Sequence, residues 1–287
     1  MTDIRWDPEL IARYNINGPR YTSYPTALAL TSPFAESRVI NALEGSGDTL
    51  SLYIHLPFCH KLCFYCGCNK VITRHQHKAD QYLDALEQEM RLYKPLLAKR
   101  ELGPLHLGGG TPTFLTEVQL SRLMQMLEEH LGLVANGKHE ISIEIDPRSC
   151  SLAKLKHLRA LGFNRVSYGV QDFDSKVQIA INRVQEDAMI ETLVQKSREY
   201  GFESINLDLI YGLPHQHPES FQRSLDKVVA LNPDRISLFS YAHLPARFAA
   251  QRKISDASLP SPELKLQLLE MGIKTFTQAG YLWPQSG

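Results

Sequence analysis

Cys59-His60-Lys61-Leu62-Cys63-Phe64-Tyr65-Cys66-Gly67-Cys68 is the stretch from which the rest of the chain is best understood. Three thiols stand at Cys-x3-Cys-x2-Cys spacing, and a fourth, Cys68, follows after one more residue. Four of the five cysteines fall within these ten residues, a density that no disulfide framework explains. Cysteines on one tight loop aim their sulfurs at a common point, and soft thiolates at this spacing suit zinc or an iron–sulfur cluster. Structural zinc usually draws on two separated ligand pairs, and the chain has no second Cys or His pair at ligand spacing. A Cys-x3-Cys-x2-Cys run gives three ligands to a four-iron cluster and leaves one iron open to a chelating small molecule. A zinc-stabilised binding module is the competing reading.

Working outward, Thr49–Leu56 reads as a buried strand that Pro57 ends. From residue 50 onward, strand and helix patterns alternate. Short apolar runs predict strands at 50–55, 104–107, 140–145, 165–170, 204–210 and 235–240. Apolar residues at three-to-four spacing predict helices at 78–99, 116–131, 151–161, 185–200, 218–230 and 261–279. Six such units imply a parallel sheet with helices outside. No Gly-x-Gly-x-x-Gly follows the first strand, so the expected fold is α/β, a partial (β/α)6 TIM-type barrel rather than a dinucleotide-binding sheet.

Barrel sites are built where strands end, and polar residues gather there: His55, Gly108-Gly109-Gly110-Thr111, Glu144 and Asp146, Gln171 and Asp172, Asp208, then Tyr241 and His243. The cysteine loop follows the first strand, so these clusters are expected to face one cavity with the metal. Glu144 sits between Ile143 and Ile145 and so points to the opposite face, where a carboxylate needs a partner. Asp146-Pro147 reads first as a turn starter. Three glycines allow close backbone approach, and their N–H and C=O groups could hold a zwitterion. Arg183 reads equally as a surface residue or as a carboxylate or ribose contact. Cys68 is too close to Cys66 to join one cubane easily and reads as a free thiol beside the site. Cys150 reads as structural, and His75, His77, His215 and His217 as solvated.

The N-terminal segment is rich in turn formers, with Tyr14, Arg20, Tyr21 and Tyr24 along it, and a short helix is expected at 33–44. It reads either as an extended arm over the surface or as an arm presenting Arg20 and Tyr21 to an anionic substrate. Lys plus Arg equals Asp plus Glu at 31 each, which gives a nucleic-acid partner no support. No run of eighteen apolar residues suggests a membrane span, the first residues carry no signal-peptide core, and clustered free thiols favour a reducing compartment, so a cytoplasmic location is expected.

The motifs together resemble the oxygen-independent coproporphyrinogen III oxidases, a family of radical S-adenosylmethionine (SAM) enzymes of haem synthesis. The resemblance rests on Tyr53-Ile54-His55-Leu56-Pro57-Phe58-Cys59 through Cys68-Asn69-Lys70, on Gly18-Pro19-Arg20-Tyr21-Thr22-Ser23-Tyr24-Pro25, and on Leu107 to Pro112. Gly169-Val170-Gln171-Asp172-Phe173, Asp208 to Pro214 and Tyr241-Ala242-His243-Leu244-Pro245 extend it, so that it runs from about residue 5 to about residue 281. It implies a [4Fe-4S] cluster on Cys59, Cys63 and Cys66. It also implies two SAM molecules, with contacts from Tyr53, Tyr65, Gly109, Gly110, Thr111, Glu144, Gln171, Arg183, Asp208 and Ala242. Cys68 and Tyr53 take catalytic roles by the same resemblance, and Arg20 and Tyr21 could hold or cover the substrate.

The implied reaction converts two propionates of coproporphyrinogen III to vinyl groups. A 5′-deoxyadenosyl radical removes a β-hydrogen, CO2 and an electron are lost, and protoporphyrinogen IX results. The implied partners are that substrate and an electron donor such as a flavodoxin or ferredoxin, with a monomeric enzyme. A haem-binding or haem-trafficking protein on the same fold is the alternative; Cys68 and the arm argue against it.

The sequence departs from the family after Tyr281. Residues 1–48 are expected to form the arm and short helix, 49–281 the barrel, and 282–287 a divergent tail where the family continues into a helical domain. An uncovered barrel mouth admits water, so weak or no turnover is expected of this chain.

Overall fold

The computed structural model describes residues 6–7, 9–10, 13, 35–47, 49–97, 100–133 and 137–282. Arg20, Tyr21 and the other tyrosines of the arm, Tyr14 and Tyr24, lie outside them. The chain divides into two units, residues 1–46 and 47–287. In the first, helix α1 (Glu36–Glu44) lies within the expected span 33–44, and none of its residues is buried.

The second unit is built on six strands: β1 (Thr49–Leu56), β4 (Glu101–Gly109), β5 (Ile141–Ile145), β6 (Arg165–Gln171), β7 (Ser204–Tyr211) and β8 (Arg235–Ser240). They pair in chain order and all in parallel. Two short strands, β2 (Phe58–Cys59) and β3 (Val71–Ile72), form a separate ladder. This is the partial (β/α)6 barrel that the alternation predicts. Period-two alternation sorts the side chains. Ile141, Ile143 and Ile145, like Ile205, Leu207 and Leu209, are buried in the core. Ser142, Glu144, Asn206 and Asp208 occupy the alternate positions, on the opposite face of the sheet.

Helices α2 (His77–Leu97), α3 (Glu117–Leu131), α4 (Leu152–Ala160), α6 (Asp187–Glu199), α7 (Pro218–Leu231) and α8 (Pro262–Gln278) supply the other half of that core. Leu120, Leu123 and Leu127 of α3 and Phe221, Leu225 and Val228 of α7 are examples, each at helical spacing. The helix starts are encoded locally. Thr116 and Gln119 make a reciprocal cap on α3, Ser151 caps α4, and Pro262 follows the cap Ser261 on α8.

The sequence pattern missed α5 (Ser175–Ala180) and the β2–β3 ladder. Six residues cannot display a helical period; the signal was Asp174, whose carboxylate accepts from the N–H groups of Lys176 and Val177. Pro95 lies inside α2. Among the described residues, no helix is long and apolar enough to cross a membrane.

Candidate active site

A cavity of about 230 Å3 lies at the C-terminal ends of the strands. The cysteine loop forms one wall. Its base is closed by β2 and β3, with Val71 N–H donating to Pro57 O (2.7 Å) and Thr73 N–H to Cys59 O (3.0 Å). Phe64 N–H donates to Ile181 O (2.9 Å) and Asn182 Nδ2 to Leu62 O (2.7 Å), which ties the loop to the segment after α5. Lys70 Nζ donates to the carbonyls of Cys66 (3.0 Å) and Cys68 (3.2 Å), drawing the end of the loop into a turn.

Cys59, Cys63, Cys66 and Cys68 all line this cavity, and all are free thiols. Each of the first three sulfurs receives a donor. Thr111 Oγ1 is 3.4 Å from Cys59 Sγ, Arg148 Nη2 and Arg183 Nη1 are each 3.5 Å from Cys63 Sγ, and Cys68 N–H is 3.5 Å from Cys66 Sγ. Hydrogen bonding from Cys68, side chain and backbone, together with Lys70, pulls the Cys66 thiol down to about 6 against the effect of burial. The same bond to Cys66, reinforced by burial, pushes the Cys68 thiol up and keeps it protonated. Burial likewise raises Cys59.

The glycine turn forms the next wall. Gly109 has φ 117°, and a Cβ on Gly110 would stand 2.6 Å from the Pro57 carbonyl oxygen. The turn differs from expectation in one respect. Gly109 N–H donates to Glu144 Oε2 (3.1 Å) and Gly110 N–H to Leu56 O (2.9 Å), so both donors are paired within the chain. Their role is to let the backbone pass close to the cysteine loop. Gly110→Ala should therefore cost about 1–3 kcal/mol by overpacking. Urea unfolding checks this against Gly47→Ala, whose Cβ meets nothing within 4 Å.

Arg183 and Asp146 depart furthest from their bland readings. Arg183 is only 6% exposed, so it is no surface arginine. Its guanidinium donates twice to Gly169 O (2.6 and 3.2 Å) and reaches Asp146 Oδ2 (3.3 Å). Asp146 does cap the turn at Pro147–Ser149, but it also binds Arg148 through Nε (2.9 Å) and Nη2 (2.7 Å). Burial pushes the Asp146 carboxyl up; Arg183 and Arg148 outweigh it and hold it below its ordinary value. Arg148, which lines the cavity and meets Cys63, had no distinguishing signal in the sequence.

Gln171 and Asp208 face the same cavity. Gln171 is buried at φ 69°, at a register shift between β6 and β7. A left-handed non-glycine backbone at a cavity wall marks local strain held by its surroundings. Asp208 accepts from Ser167 Oγ (3.1 Å) and Asn206 Nδ2 (2.7 Å). Burial, with Glu144 nearby, raises its carboxyl to about 6. Glu144 has the partners it needs in Gly109 N–H and in His106 Nε2, 3.3 Å away. Tyr65, Gly109, Gly110 and Thr111 complete the set that the cavity brings together.

Some expected residues lie elsewhere. Tyr53 is half-exposed, its hydroxyl on His55 Nδ1 (3.0 Å) and its ring stacked on His106 at 5.8 Å. It lies beside Glu144 but outside the cavity lining. Ala242 is exposed, and its carbonyl accepts from Gln251. Asp172, Tyr241 and His243 were expected at the cavity and are not there. Asp172 is tied to Ser224, Gln216 and the N–H of Asp174, and Tyr241 bonds His243 (2.8 Å), which bonds Asp256 (2.9 Å). The side chains of residues this close to a strand end are aimed by the following loop, not by strand alternation.

Among the described residues, no three His, Cys, Asp or Glu side chains are grouped to hold one metal ion. Three thiols spaced round a cavity, each with a hydrogen-bond donor, suit a multi-iron cluster instead.

The sequence model of the Radical SAM superfamily matches residues 53–228, and the chain belongs to that superfamily. The cofactors of the superfamily, a [4Fe-4S] cluster and SAM, fit the donor set just described. Within it, the chain is similar to proteins named oxygen-independent coproporphyrinogen III oxidase: 57% identical over 279 residues to that of Escherichia coli K12 and 48% over 282 residues to that of Pseudomonas aeruginosa PAO1. Each match takes in 97% of this chain and 61% of the relative, so the chain spans about three fifths of their length. The solved coproporphyrinogen III oxidase of Escherichia coli, a radical SAM enzyme, superposes with TM-score 0.91 at 55% identity, over 97% of this chain and 62% of that one.

Proposed function

We propose that this barrel performs the oxygen-independent decarboxylation of two propionates of coproporphyrinogen III, giving the two vinyl groups of protoporphyrinogen IX. The observation that carries this reading is the 57% identity to the Escherichia coli enzyme over a stretch that includes the whole cavity. In this reading Cys59, Cys63 and Cys66 hold the cluster. Cluster and SAM, when bound, supply hydrogen-atom abstraction from an unactivated carbon.

The chain's own residues do the rest. Donors to the three sulfurs, two of them arginines on Cys63, offset the charge of the thiolates. Glu144 and Asp208 offer acceptors to the ammonium and hydroxyl groups of SAM. Tyr65 supplies an aromatic wall, and Gly109, Gly110, Thr111 and Gln171 shape the floor. Cys68 stands exposed at the rim as a protonated thiol, able to donate a hydrogen bond to a second SAM. Tyr53 faces the substrate side, and Ala242 adds a backbone contact. A flavodoxin or ferredoxin delivers the electron to a monomeric enzyme in a reducing, cytoplasmic compartment, which the free thiols favour.

The test is anaerobic reconstitution with iron and sulfide, followed by SAM and a chemical reductant. The expected result is 5′-deoxyadenosine whose amount rises with coproporphyrinogen III. If 5′-deoxyadenosine forms but ignores the porphyrinogen, the substrate assignment fails and only the radical SAM chemistry stands.

A further inference from the structure

The segment after β8 makes three contacts with the cysteine loop, and one buried amide is central to them. Gln251 is 2% exposed and lies in a 3-10 turn at Ala249–Lys253. Its Nε2 donates to Tyr65 O (2.9 Å) and to Ala242 O (3.2 Å), and its Oε1 accepts from Leu244 N–H (2.5 Å). One side chain thus joins the middle of the cysteine loop to the chain emerging from the last strand, 186 residues away in sequence.

On one side of Gln251, a Cβ built on Gly67 would stand 3.0 Å from the Phe248 ring. Gly67 has no positive φ, so what crowds a side chain there is the Phe248 ring. Arg247 lies over the same ring at 5.6 Å. On the other side, Lys253 Nζ sits 4.9 Å above the ring of Phe64. Phe64, Tyr65 and Gly67 are therefore held in turn by Lys253, Gln251 and Phe248. None of the three holding residues is explained by the cavity chemistry, since none lines it.

We propose that residues 242–253 are a clasp on the cysteine loop, with Gln251 as its pin, and that the clasp positions Cys66 and Cys68. Gln251 and Phe248 are positioning residues: they touch no reacting atom and act through the backbone of Tyr65 and Gly67. Loss of the pin breaks two bonds to part-buried carbonyls and the bond from Leu244 N–H. Cys59 and Cys63 have independent restraints, from the β2–β3 ladder and from the bond between Phe64 N–H and Ile181 O. The effect should fall on the end of the loop alone. The inference rests on the function proposed above only in taking Cys66 as a cluster ligand.

The test is thiol alkylation of the cluster-free chain, read cysteine by cysteine by mass spectrometry. Gln251→Met keeps the volume and removes all three hydrogen bonds. It should raise the labelling rate of Cys66 and Cys68 about tenfold, the equivalent of one or two hydrogen bonds. Cys59 and the buried Cys150 should label as in the parent. Gly67→Ala should act in the same direction, and adding Phe248→Leu to it should bring the rates back toward the parent. After reconstitution, an iron chelator should strip the cluster from Gln251→Met faster than from the parent.

Unchanged labelling at Cys66 and Cys68, or a rise at Cys150 in step with them, overturns the clasp. So does a double variant no better than Gly67→Ala. A parent chain that takes up no iron and sulfide overturns the proposed function instead, and leaves the labelling result intact.

Discussion

Arg183→Met should cost about 3–5 kcal/mol of stability at neutral pH, because it strips one partner from a buried ion pair and leaves the other charged. The side chains of Arg183 and Asp146 are 7% and 13% exposed, and Arg148 alone would remain to balance the carboxylate. The Gly169 carbonyl would also lose both of its guanidinium donors, and Cys63 Sγ one of its two. The pH dependence follows from the sign of the Asp146 displacement. In the parent its carboxyl sits below the ordinary value, so it adds stability that is present above the ordinary carboxylate range and lost on acidification. Without Arg183, burial has less opposition and the carboxyl rises. The gap between variant and parent should thus be widest at neutral pH and close as acid neutralises Asp146 in both. Urea unfolding across that pH range measures it. A gap that is constant with pH would mean that packing, not charge, is what Arg183 supplies.

Asp208→Asn should move stability the other way. Burial raises the Asp208 carboxyl from 3.8 to about 6, so the folded state favours its neutral form. Stability from this group is complete below pH 3.8 and is lost as pH rises through about 6. At pH 7.5 the ionised carboxylate therefore costs the fold up to about 3 kcal/mol, an upper limit because the group borders an open cavity. Asparagine keeps acceptor capacity toward Ser167 and carries no charge. The variant should be the more stable protein above pH 6 and lose that advantage below pH 4. SAM binding, measured by equilibrium dialysis on the reconstituted protein, should weaken at least tenfold, since a neutral amide is a poorer acceptor for hydroxyl or ammonium groups. Stability surrendered at one carboxylate is what a binding site would be expected to retain. If Asp208→Asn were less stable than the parent at pH 7.5, the carboxylate would be structural.

Arg183 and Asp208 also mark the boundary of sequence reading. Asp208 was legible: it alternates with Leu207 and Leu209 in a strand, so its side had to be the one away from the core. Arg183 was not. It follows a left-handed Asn182 after a six-residue helix, and nothing in that context says whether the guanidinium turns to water or inward. The glycine turn was half legible. A close backbone approach was foreseen there, but that it is to the cysteine loop, and that Glu144 captures Gly109 N–H, depends on strands meeting in register.

The strand and helix spans, their parallel order and the thiol spacing follow from the sequence alone, because each depends on residues near one another in the chain. Period-two and near-3.6 patterns commit backbone and core face locally, and three cysteines within eight residues share a loop whatever the rest of the fold does. Tertiary structure alone decided which donors meet each sulfur, how Arg148, Arg183 and Asp146 neutralise one another, and that Gln251 pins Tyr65. Those side chains come from separate loops. Their directions are set by how the barrel brings strand ends together, a relation that no window of sequence contains.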